Sequence, residues 1–139
     1  MENKIKHLEF IQGIINRTAN NSFLLKGWTV TLLTVLFVFV TREMIDLNFL
    51  CVLVAIFPIF IFWLLDSFFL QKERLYRDLY NEVRLKNEDQ IDFSLDIEKF
   101  KENKQNDYKN ILFSKTIWSF YILLMVTIIL LALIAKFIF

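Results

Sequence analysis

The sequence predicts an all-α integral membrane protein, and three observations lead to this prediction. Hydrophobic residues make up 56% of the 139 residues, which include 16 Phe but only two Gly and one Pro. The charged residues, 22% of the chain, are segregated from the apolar stretches, as expected where hydrocarbon penalises charge. Several apolar stretches reach the roughly 20 residues that a helix needs to cross about 30 Å of hydrocarbon.

The first 22 residues are predicted to form an amphipathic helix outside the membrane. Apolar residues recur at helical spacing from Ile5 to Ala19, with Lys6 and Arg17 on the opposite face. This helix either lies in the headgroup region or packs on its neighbours, and a mobile gate or plug is the alternative. Charges throughout the segment are unlike a cleaved signal peptide, so we expect the first span to be retained. Residues 20–22 offer N-cap chemistry for a new helix, with one continuous, bent helix as the alternative.

Residues 23–70 are predicted to hold the first two transmembrane helices, of which the first covers about residues 23–41. Small or weakly polar residues recur on one face of this first helix at steps of four and three: Gly27, Thr31, Thr34, Val38 and Thr41. Such a face suits close helix packing, with a water-exposed pore lining as the alternative.

The second transmembrane helix is predicted to continue into the cytosol without a break, over residues 48–88. Residues 48–65 are apolar enough to span, and Pro58 is expected to bend the helix. No Gly or Pro follows, and beyond Leu70 the apolar side chains recur on a single face. This stretch therefore ties the cytosolic part of the protein to the membrane.

Residues 71–110 are predicted to form a cytosolic helical hairpin, and residues 111–139 the third transmembrane helix. Within the hairpin, residues 91–97 alternate apolar and polar, which favours an extended segment against the preceding apolar face. A helix capped by Ser94 is the alternative. Residues 98–110 are predicted to return to the membrane as a polar helix.

The basic residues predict a cytosolic N-terminus and an external C-terminus. With this orientation, Arg42 and Lys136 lie on the outer side, whereas Lys26 and Lys115 lie at the inner interface. All other Lys and Arg residues fall on inner segments, in agreement with the positive-inside rule. We therefore expect a multi-pass protein surrounded by membrane lipids.

Three ionisable residues are predicted to meet at the inner membrane edge: Lys26, Asp66 and Lys115. Burying any one of them alone is costly, so mutual pairing is expected. The cluster serves either as structural glue or as a gating or assembly element.

A second feature is an arginine stripe on the cytosolic helix, formed by Arg74, Arg77 and Arg84. Three guanidinium groups on one face can grip phosphates of a nucleotide or a lipid headgroup, and a solvated face is the alternative. The nearly balanced charge of residues 71–110 argues against a surface for double-stranded nucleic acid.

Catalysis finds no support in the sequence. His7 is the only histidine, and the only cysteine, Cys51, falls within a predicted span. A zinc site or a Cys-His pair therefore cannot be built, and there is no Gly-rich phosphate loop. We expect no catalytic residues, no metal and no cofactor, and hence a protein that is not an enzyme.

Segments 21–28 (NSFLLKGW), 62–66 (FWLLD) and 71–77 (QKERLYR) resemble small bacterial membrane proteins of anti-phage defence systems. The layout is similar to SLATT-type membrane effectors and to the membrane effector of nucleotidyltransferase-paired systems such as Hailong. This resemblance implies an inner-membrane pore that depolarises the infected cell in abortive infection. It also implies control by a nucleotide or oligonucleotide signal made by a partner enzyme.

The sequence therefore predicts an oligomeric, regulated ion-conducting effector. Three spans in one chain are too few to enclose a pore, so conduction requires a homo-oligomer. The alternative is a non-conducting membrane adaptor that recruits a soluble partner through residues 71–110.

Overall fold

The computed structural model describes the backbone of residues 2–42 and 49–138, and the side chains of 2–38, 54, 56–131 and 133–134. These residues form four α-helices: α1 (Glu2–Arg42), α2 (Phe49–Leu85), α3 (Tyr108–Leu112) and α4 (Lys115–Ile138). Three short 3-10 turns lie between α2 and α3: Glu88–Gln90, Glu98–Glu102 and Lys104–Asn106. The predicted all-α class is confirmed.

One helical stretch in the described part of the chain, Glu2–Val38, is long and apolar enough to cross a membrane by length and composition. Lys115–Leu131 is a shorter apolar helix. The sequence predicts three spans, so the structure has one candidate where three are expected. The single candidate lies near the N-terminus, where a membrane span and a signal sequence satisfy the same criteria.

Helix α1 runs without interruption through residues 20–22, where the sequence allowed either a new helix or one continuous helix. Ser22 does not cap a helix, because its hydroxyl donates to Asp66 on α2. The buried side chains of α1 repeat at steps of three, four or seven and so share one face: His7, Ile11, Ile15, Thr18, Ser22 and Thr29. Most of this face packs against α2.

The prediction of one unbroken helix from the apolar stretch into the charged stretch is confirmed by α2. Pro58 lies inside it, and the helix continues to Leu85. Helix α2 contacts both α1 and α4 and is therefore the centre of the fold.

An aliphatic core joins the polar part of α2 to the start of α1. It consists of Ile11, Ile15, Leu75, Leu79, Val83 and Ile97, all buried. The predicted apolar face of α2 thus packs on the N-terminal helix. Residues 91–97 form neither a helix nor a strand; only the two ends of this predicted extended segment, Ile91 and Ile97, pack against the core, whereas Phe93 has a positive φ and is exposed.

The predicted polar helix over residues 98–110 is wrong, because the chain forms 3-10 turns there and only α3 is α-helical. Asp92, Asp96 and Asn103 each accept the backbone N–H of the residue two positions later. These local hydrogen bonds compete with helical ones and fix a chain of turns. The helical hairpin is therefore a helix followed by an irregular return segment.

The predicted third helix is broken at its start. Helix α3 ends at Leu112, and α4 begins at Lys115. The carbonyl of Ser114 accepts the N–H groups of Ile117 and Trp118, which begins the second helix. The carbonyl of Leu112 accepts the indole N–H of Trp63, so a side chain of α2 satisfies the end of α3.

Candidate functional site

Asp66 is the most conspicuous polar residue of the fold, because its carboxylate is completely buried within the apolar part of α2. A buried ionised carboxylate requires donors for its oxygens. Three donors reach it, and they come from α1 and α4. We call Asp66 and the residues that contribute these donors, Ser22, Lys26 and Tyr121, the Asp66 cluster.

Helix α1 supplies two of the donors. Ser22 and Lys26 stand four residues apart and therefore lie on one face of the helix. Lys26 Nζ is 2.5 Å from Asp66 Oδ2, and the Ser22 hydroxyl donates to Oδ1. The Lys26 ammonium also donates to the Ser22 hydroxyl at 3.0 Å, so that Ser22 both accepts and donates. The two side chains thus hold both oxygens of the carboxylate.

Helix α4 supplies the third donor through Tyr121, whose side chain is also fully buried. Its hydroxyl oxygen lies 3.2 Å from Asp66 Oδ2 and 3.2 Å from the carbonyl oxygen of Phe62. The ring stacks on Trp63 at a centroid distance of 6.4 Å. Tyr121 therefore joins α4 to α2 through both its ring and its hydroxyl.

Further polar contacts fix α2 beside the Asp66 cluster. The Ser67 hydroxyl donates to the carbonyl of Trp63, and Tyr108 of α3 donates to the carbonyl of Leu64 at 2.9 Å. Burial raises the pKa of Tyr108 above its usual range, so that this hydroxyl remains a neutral donor. The turn of α2 that carries Asp66 is thus held by side chains from three other helices.

The Asp66 cluster holds α1 and α4 to α2 through a buried carboxylate and its partners. Lys26 keeps 23% of its side chain exposed, whereas Asp66 keeps none. Removing one partner of a buried ion pair leaves the other charge uncompensated, at a cost of about 3–5 kcal/mol. The relative positions of α1, α2 and α4 therefore depend on this cluster.

Lys115 does not join the cluster, although the sequence places it there. Its side chain is exposed, and no ion pair involves it among the described residues. Along α4, Tyr121 lies about 120° around the helix from Lys115 and about 9 Å further along. Because Tyr121 faces α2, Lys115 faces away.

The three predicted arginines do not converge on one site. Arg74 donates to the carbonyl of Gln105 at 3.2 Å, and Arg77 pairs with Glu73 at 2.6 Å. Arg84 is exposed, and no hydrogen bond or ion pair involves it in the described part of the chain. Arg74 fastens the return segment to α2, and Arg77 borders a cavity.

The small-residue face of α1 lies outside the protein's own core. A Cβ atom added to Gly27 would meet nothing within 4 Å, and Thr31 and Thr34 are exposed. Their hydroxyls donate to carbonyls one turn earlier, at 3.0 and 2.9 Å. Val38 is 42% exposed, and the side chain of Thr41 lies outside the described residues. Among the described residues, Gly27, Thr31 and Thr34 therefore form a face that is not buried in the core.

A second set of contacts, which the sequence did not indicate, joins the N-terminal end of α1 to the C-terminal end of α2. Glu88 Oε1 accepts the backbone N–H groups of Asn3 and Lys4, which opens α1 with a carboxylate at its positive end. The Lys4 ammonium donates to the carbonyl of Lys86, just after α2, at 2.8 Å. The N-terminus of α1 is thus capped by Glu88, which follows α2, and the chain just after α2 is held by Lys4 of α1.

His7 fastens the return segment to α1. It is buried, and its Nε2 lies 3.0 Å from the carbonyl oxygen of Ser94. Its ring lies 5.4 Å from that of Phe93, which adopts a φ of 54°, a conformation that L-residues rarely adopt. The histidine thus serves as a structural contact in this fold.

In the described ranges, no group of three or more His, Cys, Asp or Glu residues is placed to hold a metal ion. No family model, curated protein or solved structure matches the chain. The site is therefore interpreted from its own geometry.

Proposed function

We propose that the protein is an oligomeric membrane effector that forms a regulated ion-conducting pore. In this proposal, three helices of each copy cross the bacterial inner membrane, with the N-terminus in the cytosol. The physiological role is depolarisation of the cell membrane in anti-phage defence, which the sequence resemblance implies.

Helix lengths support the three-span arrangement. Helix α4 has 24 residues, or about 36 Å, which is enough to cross the hydrocarbon. Helices α1 and α2 have 41 and 37 residues, about 60 and 55 Å, and must extend well beyond a bilayer core of about 30 Å. Both would reach about 25 Å or more into the cytosol.

One observation carries the pore proposal: the small, hydroxyl-bearing face of α1 points away from α2. Thr29 on the same helix is completely buried, and Thr31 and Thr34 lie roughly 140–160° around the helix from it. The Asp66 cluster fastens the side of α1 that faces α2, so that the small face is left for other copies. Repeated around an axis, this face would supply the weakly polar lining that an aqueous pore needs.

The unbroken course of α1 and α2 supports regulation from the cytosol. The aliphatic core and the caps at Lys4 and Glu88 join the two helices at one end, and the Asp66 cluster joins them nearer the other. A ligand that tilts the cytosolic ends would move the Thr31 face, because a continuous helix transmits rotation. A nucleotide or oligonucleotide made by a partner enzyme is the proposed signal.

Cysteine accessibility in a conducting oligomer tests the proposal. In a Cys51→Ser background, Thr31→Cys and Thr34→Cys are introduced separately, and the protein is reconstituted in liposomes. A charged, membrane-impermeant thiol reagent should reduce ion flux by more than about half in both variants, because it obstructs a pore lined by this face. The control is Leu32→Cys, whose side chain is also exposed but lies about 100° and 160° from the two threonines.

A monomeric protein without flux would contradict the proposal. Flux that the reagent blocks equally at Leu32 and at the threonines would contradict the assignment of the lining. Copurification of one soluble protein in equal amount, without any flux, would instead support an adaptor that binds through residues 71–110.

A further inference from the structure

A cleft lies between the polar parts of α1 and α2 and is separate from the Asp66 cluster. Its volume is about 360 Å³, within the range of small-molecule sites. Ile15 and Ala19 of α1 provide its apolar surface. The other lining side chains are polar and come from both helices: Gln12, Asn16, Arg77, Tyr80 and Asn81.

The polar lining combines one cation with three carboxamides. Carboxamides both donate and accept hydrogen bonds, which suits ring nitrogens, carbonyls or sugar hydroxyls. Gln12 donates to Asn16 at 3.0 Å, which orders these two amides on α1. Asn81 faces them from α2 and has no protein partner among the described residues. The cleft thus offers hydrogen-bonding groups from two sides.

Arg77 retains capacity for an anion. Glu73 contacts one terminal nitrogen of its guanidinium group, and 62% of the arginine side chain is exposed. The group has five N–H donors in a planar fork that matches two oxygens of a phosphate. The third phosphate oxygen would be left for an amide donor of Asn16 or Asn81.

The position of the cleft favours a soluble ligand over a lipid, an argument that rests on the proposed membrane topology. Ala19 and Gln12 precede Lys26 by seven and fourteen residues, or about 10 and 21 Å along α1. The headgroup layer on each side of the hydrocarbon is only about 5–8 Å thick. The cleft would therefore lie beyond the headgroups, in the cytosol.

We propose that this cleft binds a soluble, phosphorylated small molecule with a polar ring or sugar, in the size class of a mononucleotide or a sugar phosphate. Arg77 holds the phosphate, and the amides of Gln12, Asn16 and Asn81 hold the polar body. Binding bridges α1 and α2 at a level where no ion pair joins them among the described residues. The ligand therefore sets the relative position of the two helices.

The test measures binding to the full chain in nanodiscs of neutral lipid by calorimetry. The probes are adenosine 5′-monophosphate, glucose 6-phosphate and adenosine. At least one phosphorylated probe should bind about tenfold or more tightly than adenosine, and Arg77→Gln should weaken it by a similar factor. Asn81→Leu, an independent variant on the opposite wall from Gln12, should also weaken binding.

The matched control is Arg84→Gln, which removes the same charge from the same helix at an exposed position outside the cleft. It should change the affinity by less than about twofold, because general electrostatic attraction is weak at physiological salt. Equal losses in Arg77→Gln and Arg84→Gln, or no binding of either phosphorylated probe, would overturn the proposal. Loss of probe binding when anionic lipid replaces neutral lipid would overturn the soluble source and assign the cleft to a headgroup.

Ion flux measured on the same preparations separates this inference from the proposed function. A protein that conducts ions but binds neither phosphorylated probe would refute the cleft and leave the pore proposal standing. A protein that binds a probe through Arg77 but does not conduct would refute the pore and leave the cleft standing.

Discussion

The polar half and the apolar half of the molecule bury opposite kinds of side chain. In the polar half, residues 2–19 and 71–112, aliphatic side chains such as Ile11 and Leu79 are buried and most charged residues are exposed. In the apolar half, residues 20–38, 54–70 and 115–134, polar groups such as Asp66 and Tyr121 are buried among a few apolar side chains. Large apolar side chains there, including Phe57 and Leu123, are more than 60% exposed.

This difference shows what holds each half together. Water drives the aliphatic core of the polar half together, because burial removes apolar surface from it. Under the proposed membrane topology the apolar half lies in lipid, where apolar side chains would gain little from meeting each other and where hydrogen bonds and close packing would provide the association instead. A single continuous α2 therefore changes its mode of packing along its length, between Asp66 and Leu75.

The largest expected effect comes from breaking the ion pair of the apolar half. Asp66→Leu should destabilise the protein by about 3–5 kcal/mol, because it leaves Lys26 without its anion and Ser22 and Tyr121 without their acceptor. Thermal unfolding in detergent, followed by circular dichroism, measures the loss. The control is Asp78→Leu on the same helix, which removes a carboxylate that, among the described residues, accepts one hydrogen bond, from Asn106.

A double variant sharpens this first prediction. Lys26→Met combined with Asp66→Leu removes both charges and should recover part of the lost stability, since an apolar pair of similar size avoids the desolvation of ions. A double variant that is no more stable than Asp66→Leu would mean that the charges themselves are not the cause.

The next largest expected effect compares the loss of a buried apolar side chain with the loss of an exposed one. Leu79→Ala in the aliphatic core should cost about 2–4 kcal/mol, through lost apolar contact and the cavity that remains. Phe57→Ala, which removes a larger but 64% exposed side chain in the apolar half, should cost less than about 1 kcal/mol in the same assay. Similar losses in the two variants would mean that Phe57 is covered, for example by another copy.

A smaller effect is expected at the link between α4 and α2. Tyr121→Phe removes only the hydroxyl that contacts Asp66 and the carbonyl of Phe62, while the ring remains on Trp63. The loss should be about 1 kcal/mol in the melting assay, typical of a single hydrogen bond. Tyr121→Leu should cost more, because it also removes the ring contact. If Tyr121→Phe is as damaging as Asp66→Leu, the hydroxyl is essential to the ion pair.

The smallest effect is a pH dependence of the polar half. The hydrogen bond from Lys99, together with Lys86, lowers the pKa of Glu82 despite the opposing effect of burial. A lowered folded-state pKa means that the stabilisation is present above the ordinary value of 4.5 and disappears as the pH falls through the folded value. Because Lys99 is more than half exposed, the contribution is about 0.5 kcal/mol or less.

The variant Lys99→Met tests this pH dependence. Its difference in melting temperature from the unmodified protein should be present at pH 7 and vanish near pH 3. Lys101→Met provides the control, since Lys101 pairs with the exposed Glu98 and not with Glu82. A difference for Lys99→Met that persists at pH 3 would assign it to the contact of the Lys99 ammonium with the Phe100 ring, 5.0 Å from its centroid, instead of to Glu82.

The local sequence pattern was sufficient to predict the features that lie within a single helix. The continuity of α2 followed from the absence of Gly and Pro after Pro58, and its buried face followed from apolar spacing. The pairing of Lys26 with Asp66 also followed from the sequence, because a charge beside or within an apolar stretch needs a counterion. The polar helix predicted for the return segment was wrong, because the short-range side-chain hydrogen bonds of Asp92, Asp96 and Asn103 outweighed helix propensity there.

By itself, the sequence determined the helical class, the unbroken α2 and the pairing of Lys26 with Asp66. The first two depend on composition and local spacing, and the third on two charged residues that stand beside apolar stretches. Only the tertiary structure decided that Tyr121 rather than Lys115 completes the Asp66 cluster, that Glu88 caps α1 and that Arg77 borders a cleft. These contacts join residues up to 85 positions apart, and the rotation of each packed helix selects the side chain that faces the next.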